Sequence, residues 1–432
     1  MSTQGRIPTD RVAAPTARTS KGGVGLGLDV VRERCAGIDV HKRQITVHVH
    51  VPKHQETREF STDTGALLTM VEWLQELEID DVAMEGTGSY WKPVYNILEA
   101  AGLDAIIGNA SHMKAVPGRK TDTKDAEWIC DLHRLGLIRA SFVPPRPQRE
   151  LRELVTYRST LIRERAAEAN RIAKVLEGGN IKLASVVTDI LGKSSRNMLA
   201  ALAKGTDDPQ ALADMAEGRL NNKHDDLLLA LHGRMTAHQR KMLGWQLEHV
   251  EFLDQQIVAV DAKVAECLDP HKQEIERLIT IPGVSQRSAE VILAAIGTNM
   301  GQFPSADHLI SWAGMCPASN ESGGKRRPAR SRHGNEMLKA TLVQSGQAAG
   351  RSLGTYLGAT YRLLAGRRGK KRAAVALGRH ILETVYYILR DGTTYRELGA
   401  NYHDERRKAA VTRAAIARLR RLGYEVEVKP VA

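Results

Sequence analysis

Apolar residues recur along this chain with two different periods, and the change of period divides it. Between Arg34 and about Gly136, short strand-like runs take turns with helical ones. Cys35 to Val40 (CAGIDV) is a short apolar run that reaches Asp39 at its end, and Gln44 to Val51 (QITVHVHV) alternates β-branched with polar residues as a half-buried strand does. Within Thr64 to Leu77, residues Leu67, Leu68, Val71, Trp73 and Leu74 fall at helical spacing. Asp81 to Met84 (DVAM) then reads as a strand and leads into Glu85. A helix through Tyr90 to Ala101, a strand at Leu103 to Ile107 and a helix from about Thr123 to Leu135 complete an α/β unit of roughly ribonuclease-H-like order.

From about Gln148 to Gln273 the pattern is helical almost throughout. Val250, Leu253, Ile257, Val260 and Val264 are spaced 3, 4, 3, 4, an a/d seam, and Val155, Ile162, Ala166, Ala169, Ala173 and Leu176 keep a similar, weaker register. Two long helices joined by a helical insert are expected to form an antiparallel hairpin arm. Leu278 to Gly297 then predicts helix, Pro282-Gly283 turn and helix, a helix-hairpin-helix-like element whose amides could hold a phosphate. A Gly-rich basic loop follows around residues 318 to 335, then a helix from about Glu336, a second basic cluster and an Arg-rich C-terminal segment. The expected organisation is a flexible tail at 1–33, a catalytic α/β domain at 34–147, a helical arm at 148–273, a mostly helical domain at 274–400 and a basic segment at 401–432. The glycines from Gly22 to Gly27 lack a preceding strand and have the wrong spacing for a dinucleotide fingerprint.

Charge narrows the partners. The 432 residues carry 62 Lys and Arg against 50 Asp and Glu, a formal +12, which suits a polyanion such as nucleic acid. Aromatic residues make up only 4%, too few for a single-strand binder that works by base stacking. Cys35, Cys130, Cys267 and Cys316 are scattered without a CxxC pair, which argues against a disulfide framework or a zinc site. No long apolar run and no signal-peptide pattern occur, so a cytoplasmic, nucleoid-associated protein with no membrane partner is expected.

Four carboxylates stand out against this background. Asp39 and Glu85 close predicted strands, where a parallel sheet exposes its ligand-binding edge. Asp122 and Asp125, at i and i+3, project from one face of a helix's first turn. Hard oxygen ligands of this kind suit Mg²⁺ or Mn²⁺, and a pair of such ions about 4 Å apart serves phosphodiester chemistry. His41, close behind Asp39, reads as a surface histidine. Far downstream, Pro317 to Gly324 (PASNESGG) precedes Lys325, Arg326, Arg327, Arg330, Arg332 and His333. Glycine-flanked backbone can approach a substrate closely, and neighbouring cations attract phosphate and favour an ionised serine. On these grounds Ser319, Ser322 and Ser331 are all candidate nucleophiles.

Taken in order, Asp39 in GIDVHK, Glu85 in MEGTGSYW, Asp122 and Asp125 in KTDTKDAEW, then IPGV, SWAGMCP and NESGGKRRPARSRHGNEMLKATL resemble the DEDD-type insertion-sequence transposases related to the Piv invertases, over about residues 35 to 395. The resemblance implies a RuvC-like N-terminal domain with Asp39, Glu85, Asp122 and Asp125 as metal ligands, and a C-terminal domain in which Ser322 attacks DNA to form a phosphoserine intermediate. It further implies donor and target DNA, a noncoding bridge RNA that pairs to both, and assembly into a dimer or tetramer in which the carboxylates of one subunit meet the serine of another. Lys325, Arg326, Arg327, Arg330 and Arg332 are then expected to contact backbone near the serine, with Arg367, Arg368, Lys370, Lys371 and Arg372 on RNA or DNA further out. Two rivals keep the same residues with other roles: a junction-resolving nuclease that uses water as nucleophile, and a nucleic-acid-binding protein with a decayed catalytic domain.

Overall fold

Alternation in the first strands sorts their side chains to two faces, and both faces are covered. The computed structural model describes residues 29–86, 88–108, 113, 125–317, 321, 322, 324–326 and 334–428. The chain divides into two units, Met1–Val143 and Pro144–Ala432. The expected N-terminal tail lies almost wholly outside the described residues.

In the first unit, strands β1 (Cys35–Val40), β2 (Gln44–Val51) and β3 (His54–Ser61) run as an antiparallel meander. Helix α1 (Thr64–Glu76) follows, with Asp63 Oδ1 accepting from the Ala66 amide at 3.0 Å as its N-cap. Strand β4 (Asp81–Glu85), helix α2 (Trp91–Ala100) and strand β5 (Asp104–Gly108) add parallel neighbours to β1. Helix α3 (Asp125–Arg134) and the short β6 (Ala140–Ser141) complete a sheet of order β3-β2-β1-β4-β5-β6. The apolar pattern does not predict β3. It is an edge strand paired with all of β2, yet HQETREFS has no buried residue, so no hydrophobic alternation announces it.

One sheet face carries Ile38, Val47, Met84, Met70, Leu74 and Leu98 in a fully buried core under α1 and α2. The other face is thinner, with Ala83, Met113, Ile129 and Leu132 packed together beneath α3. Gly37 fixes that spacing: a Cβ there would lie 2.2 Å from Cys130 N and 2.3 Å from Ala126 O, so the helix backbone rests directly on the strand. The amides of Val31 and Arg32, ahead of β1, donate to Arg134 O at the end of α3. Helix and strand are therefore antiparallel, and the start of α3 lies at the end of β1.

The second unit is built on α4 (Arg146–Gly178). Four short helices, α5 (Leu183–Val186), α6 (Lys193–Lys204), α7 (Pro209–Ala213) and α8 (His224–Leu231), lead to α9 (Ala237–Leu268). The pairs Arg158–Asp261, Arg165–Asp254 and His249–Glu168 descend on one helix as they rise on the other, so α4 and α9 are antiparallel. Val250, Leu253, Ile257, Val260 and Val264 are all buried, as their spacing predicts. On α4 the register differs from the expected one. The buried stripe is Leu151, Val155, Arg158, Leu161, Glu168, Ile172 and Leu176, while Ile162, Ala169 and Ala173 are only partly covered and Ala166 is exposed. Two seam positions are ionic: Arg158 Nη1 donates to Glu290 Oε2 at 2.6 Å and to Asp261 Oδ1 at 3.0 Å, and Glu168 pairs with Arg171. A search for apolar residues passes over both.

Beyond the arm, α10 (Lys272–Ile279) and α11 (Gln286–Ile296) flank the Pro282-Gly283 turn. Gly283 has φ +87°, and a Cβ there would meet Ser345 O at 2.3 Å and Ala349 N at 2.6 Å, so this turn is packed on a later helix. α12 (Ala306–Trp312), the hairpin β7 (Glu321–Ser322) and β8 (Lys325–Arg326), and helices α13 (Glu336–Gly350), α14 (Tyr356–Arg368) and α15 (Lys370–Asp391) follow, ending with α16 (Tyr402–Arg406) and α17 (Lys408–Arg421). No described helix is long and apolar enough to cross a membrane.

Candidate active site

Parallel pairing sets two of the carboxylates side by side. Ile38 on β1 partners Met84 on β4, which puts the next residues, Asp39 and Glu85, level at the C-terminal ends of adjacent strands. Side chains alternate along a strand, so Asp39 shares a face with Gly37, and Glu85 with Ala83. That is the face covered by α3, because Gly37 abuts Ala126 and Cys130 and Ala83 packs with Ile129. Asp125, the first residue of α3, precedes Ala126 and so comes to the same edge. Its carboxylate and that of Glu127 also suit the positive end of the helix. Asp122 lies outside the described residues.

Asp39 is held from the side. Its carboxyl is 19% exposed, and Oδ2 lies 3.0 Å from Nε2 of His41, a residue the sequence marks only as a surface histidine. His41 is exposed, as expected, but it is also the polar partner of the first candidate ligand. Behind the edge, Cys35 and Cys130 Sγ atoms sit 3.7 Å apart, buried between β1 and α3. The hydrogen bond from Cys130 holds the Cys35 thiol below its ordinary range, while the same contact and burial push Cys130 up. His133, one turn on, is 1% exposed, and its Nε2 has no hydrogen-bond partner among the described residues. Burial, with Arg32 adding to it, pulls this imidazole down to about 4.

The donor chemistry of the edge, carboxylate oxygens only, fits a hard divalent cation. Among the described residues, however, no three His, Cys, Asp or Glu side chains gather closely enough to hold an ion between them. Two level strand ends and a helix start are what the described residues bring together.

The serine belongs to the second unit and to another kind of element. Ser322 partners Lys325, and Glu321 partners Arg326, in a hairpin whose turn contains Gly324. Gly324 has φ +73°, a conformation that favours glycine, so Ser322 is the last strand residue before a tight turn. Ahead of α13, a Cβ on Gly334 would lie 2.5 Å from Ala313 C, just past α12, and Asn335 Oδ1 accepts from the Leu338 amide to cap α13. The alternatives Ser319 and Ser331 lie outside the described residues, as do Arg327, Arg330 and Arg332.

The second basic cluster forms an exposed corner. Arg367 and Arg368 end α14, where a cation complements the helix dipole. Lys370, Lys371 and Arg372 open α15, whose first turn contains no acidic residue. Three cations at a positive helix end repel it, and a bound anion would relieve that repulsion.

Two separate segments of the chain match models of known families. A family model described as Transposase matches residues 36–181, and another described as Transposase IS116/IS110/IS902 family matches residues 275–361. Asp39, Glu85, Asp122 and Asp125 fall within the first segment and Ser322 within the second. A probable family 20 transposase of Pseudomonas aeruginosa is 26% identical, over 86% of this chain and 98% of its own length. The transposase for insertion sequence element IS1111A of Coxiella burnetii is 23% identical, over 76% of this chain and 82% of its own. The insertion element IS110 uncharacterized 43.6 kDa protein of Streptomyces coelicolor is 28% identical, over 65% and 73% respectively.

Proposed function

We propose that the chain is a transposase of the IS116/IS110/IS902 family, an enzyme that cleaves and joins DNA, and that it works through Ser322 as nucleophile together with Asp39, Glu85, Asp122 and Asp125 as ligands of Mg²⁺ or Mn²⁺. The observation that carries this reading is the level placement of Asp39 and Glu85 on neighbouring parallel strands, with Asp125 opening the helix on the same face. When bound, such ions polarise the scissile phosphate and offset charge on the attacking and leaving oxygens.

The residues' own part is simple to balance. Ser322 Oγ gives up its proton and forms a bond to phosphorus as the bond from phosphorus to the 3′ oxygen breaks. The 3′ oxygen takes a proton, leaving a phosphoserine ester on the other end. In rejoining, a 3′ hydroxyl attacks that phosphorus and the serine oxygen departs and is reprotonated. One phosphate ester replaces another at each stage, so no nucleotide hydrolysis is required. Lys325, Arg326, Arg327, Arg330 and Arg332 hold backbone phosphates beside the serine. His41 keeps the Asp39 carboxylate oriented.

A noncoding bridge RNA pairs with donor and target DNA. In the exposed corner of Arg367, Arg368, Lys370, Lys371 and Arg372, the last three are unfavourably charged against the start of their own helix, which supports a phosphate-rich ligand there. Copies of the chain pair the carboxylates of one subunit with the serine of another, in a dimer or tetramer.

A strand-cleavage assay on duplex ends of the element separates this reading from its rivals. Ser322→Ala and Asp39→Asn are both expected to abolish cleavage, each by at least about a thousandfold, as loss of a nucleophile or a metal ligand does. Cleavage that survives Ser322→Ala but not Asp39→Asn would identify a water-using nuclease instead.

A further inference from the structure

The last helix of the chain, α17, has no buried residue along its 14 positions. Thr412 and Ile416 are half-covered and mark the side turned to the protein, while the remaining residues are exposed. Short helices are marginal on their own, since packing supplies most of their stability, and α17 receives little. Its composition is equally one-sided, with no Asp or Glu between Lys408 and Tyr424.

Spacing arranges what remains. Ala410, Arg413, Ala417, Arg420 and Arg421 follow at intervals of 3, 4, 3 and 1, one stripe of the helix that borders Ile416 through Arg413 and Arg420 and whose five residues are all exposed. Arg418, Arg420 and Arg421 complement the negative end of the helix, which explains cations in the last turn but not Arg413 or the alanines. Arg413 and Arg421 Nε donate to carbonyls one turn back, Ala409 O and Ala417 O. Small alanines between arginines let a helix backbone come close to whatever the arginines grip.

We propose that the Ala410–Arg421 face of α17 is a DNA-docking surface that lies in the major groove of B-form duplex, outside the catalytic residues and outside both matched family segments. An α-helix with its side chains is about 10–12 Å across and the major groove is about 12 Å wide, whereas the deep groove of an A-form RNA duplex is too narrow for side chains to read. Arg413 and Arg420 stand about 10 Å apart along the axis, close to three base-pair steps, so each can reach a guanine edge, O6 and N7, on the same stretch. The partner follows from charge complementarity. The choice of duplex DNA rests on the transposase reading, while the surface itself does not depend on how DNA is cut.

The test uses the full-length protein in EDTA, so that binding is read without cleavage, on a DNA duplex from the element's ends and on an RNA duplex of equal length. For Arg413→Ala/Arg420→Ala/Arg421→Ala, DNA affinity is expected to fall at least tenfold, and the slope of log K against log salt to become less negative by about 0.9, for the phosphate that Arg421 no longer neutralises. Dimethyl sulfate is expected to show guanine N7 atoms protected about three base pairs apart by the parent protein and exposed with the triple variant. The three-lysine variant should keep most of the salt slope while losing that protection. Unchanged DNA affinity and slope, absence of protection in the parent, or a loss confined to the RNA duplex would overturn the proposal. In each of those cases the Ser322 reading would still stand or fall on its own cleavage assay.

Discussion

At the scale of single residues, the carboxylate edge depends on groups that carry no chemistry themselves. Gly37 lets α3 lie against β1, with its Cβ direction filled by Cys130 N and Ala126 O. Gly37→Ala is therefore expected to destabilise the first unit by about 1–3 kcal/mol and to displace Asp125 from Asp39, lowering the urea midpoint and DNA cleavage together. His133 supplies a pH dependence. Its folded pKa of about 4 lies below the ordinary 6.5, so between those values the unfolded chain binds a proton that the folded chain refuses. Stability is then fully present above pH 6.5 and is lost as pH falls towards 4, by up to about 3 kcal/mol. Urea titrations at pH 7.5 and 5 are expected to show this loss in the parent and a flatter profile in His133→Leu; equal slopes would exclude His133 as its source. Asp39 and Glu85 are legible in the sequence because each closes a recognisable strand. Gly37 and His133 are not, because their roles depend on the packing of β1 against α3, about ninety positions apart in sequence.

At the scale of elements, apolar spacing succeeds where burial is apolar. The α9 seam is readable for that reason, and the α4 register is not, because Arg158 and Glu168 occupy seam positions. The same limit hides β3, whose backbone pairs fully with β2 while none of its side chains is fully buried. Arg158 is 3% exposed, and its guanidinium meets Glu290 and Asp261 where α4, α9 and α11 converge. Removing it strands a buried carboxylate. Arg158→Ala is expected to cost about 3–5 kcal/mol, whereas Arg158→Met/Glu290→Met, which removes both charges, should recover most of that loss in thermal unfolding. If the double variant is no more stable than the single one, the ion pair is not what orders this junction.

At the scale of the whole molecule, the candidate chemistry is split between two units, with carboxylates in Met1–Val143 and the serine hairpin in Pro144–Ala432. Both parts can be found in the sequence, the carboxylates from topology and metal chemistry. Choosing Ser322 over Ser319 and Ser331 needs the family resemblance, since glycine and arginine neighbours serve all three. Chelation should separate the halves: EDTA is expected to abolish cleavage while leaving duplex binding within about twofold, and Mg²⁺ or Mn²⁺ to restore cleavage, because phosphate binding by Lys and Arg needs no ion. The most direct measurement of the central claim is to trap the protein–DNA adduct with a nicked suicide duplex, digest it with protease and nuclease, and locate the nucleotide by fragmentation mass spectrometry. A phosphodiester-linked nucleotide on Ser322, absent from Asp39→Asn, is the predicted result. A nucleotide on Ser319 or Ser331, or cleavage with no covalent adduct at all, would contradict it.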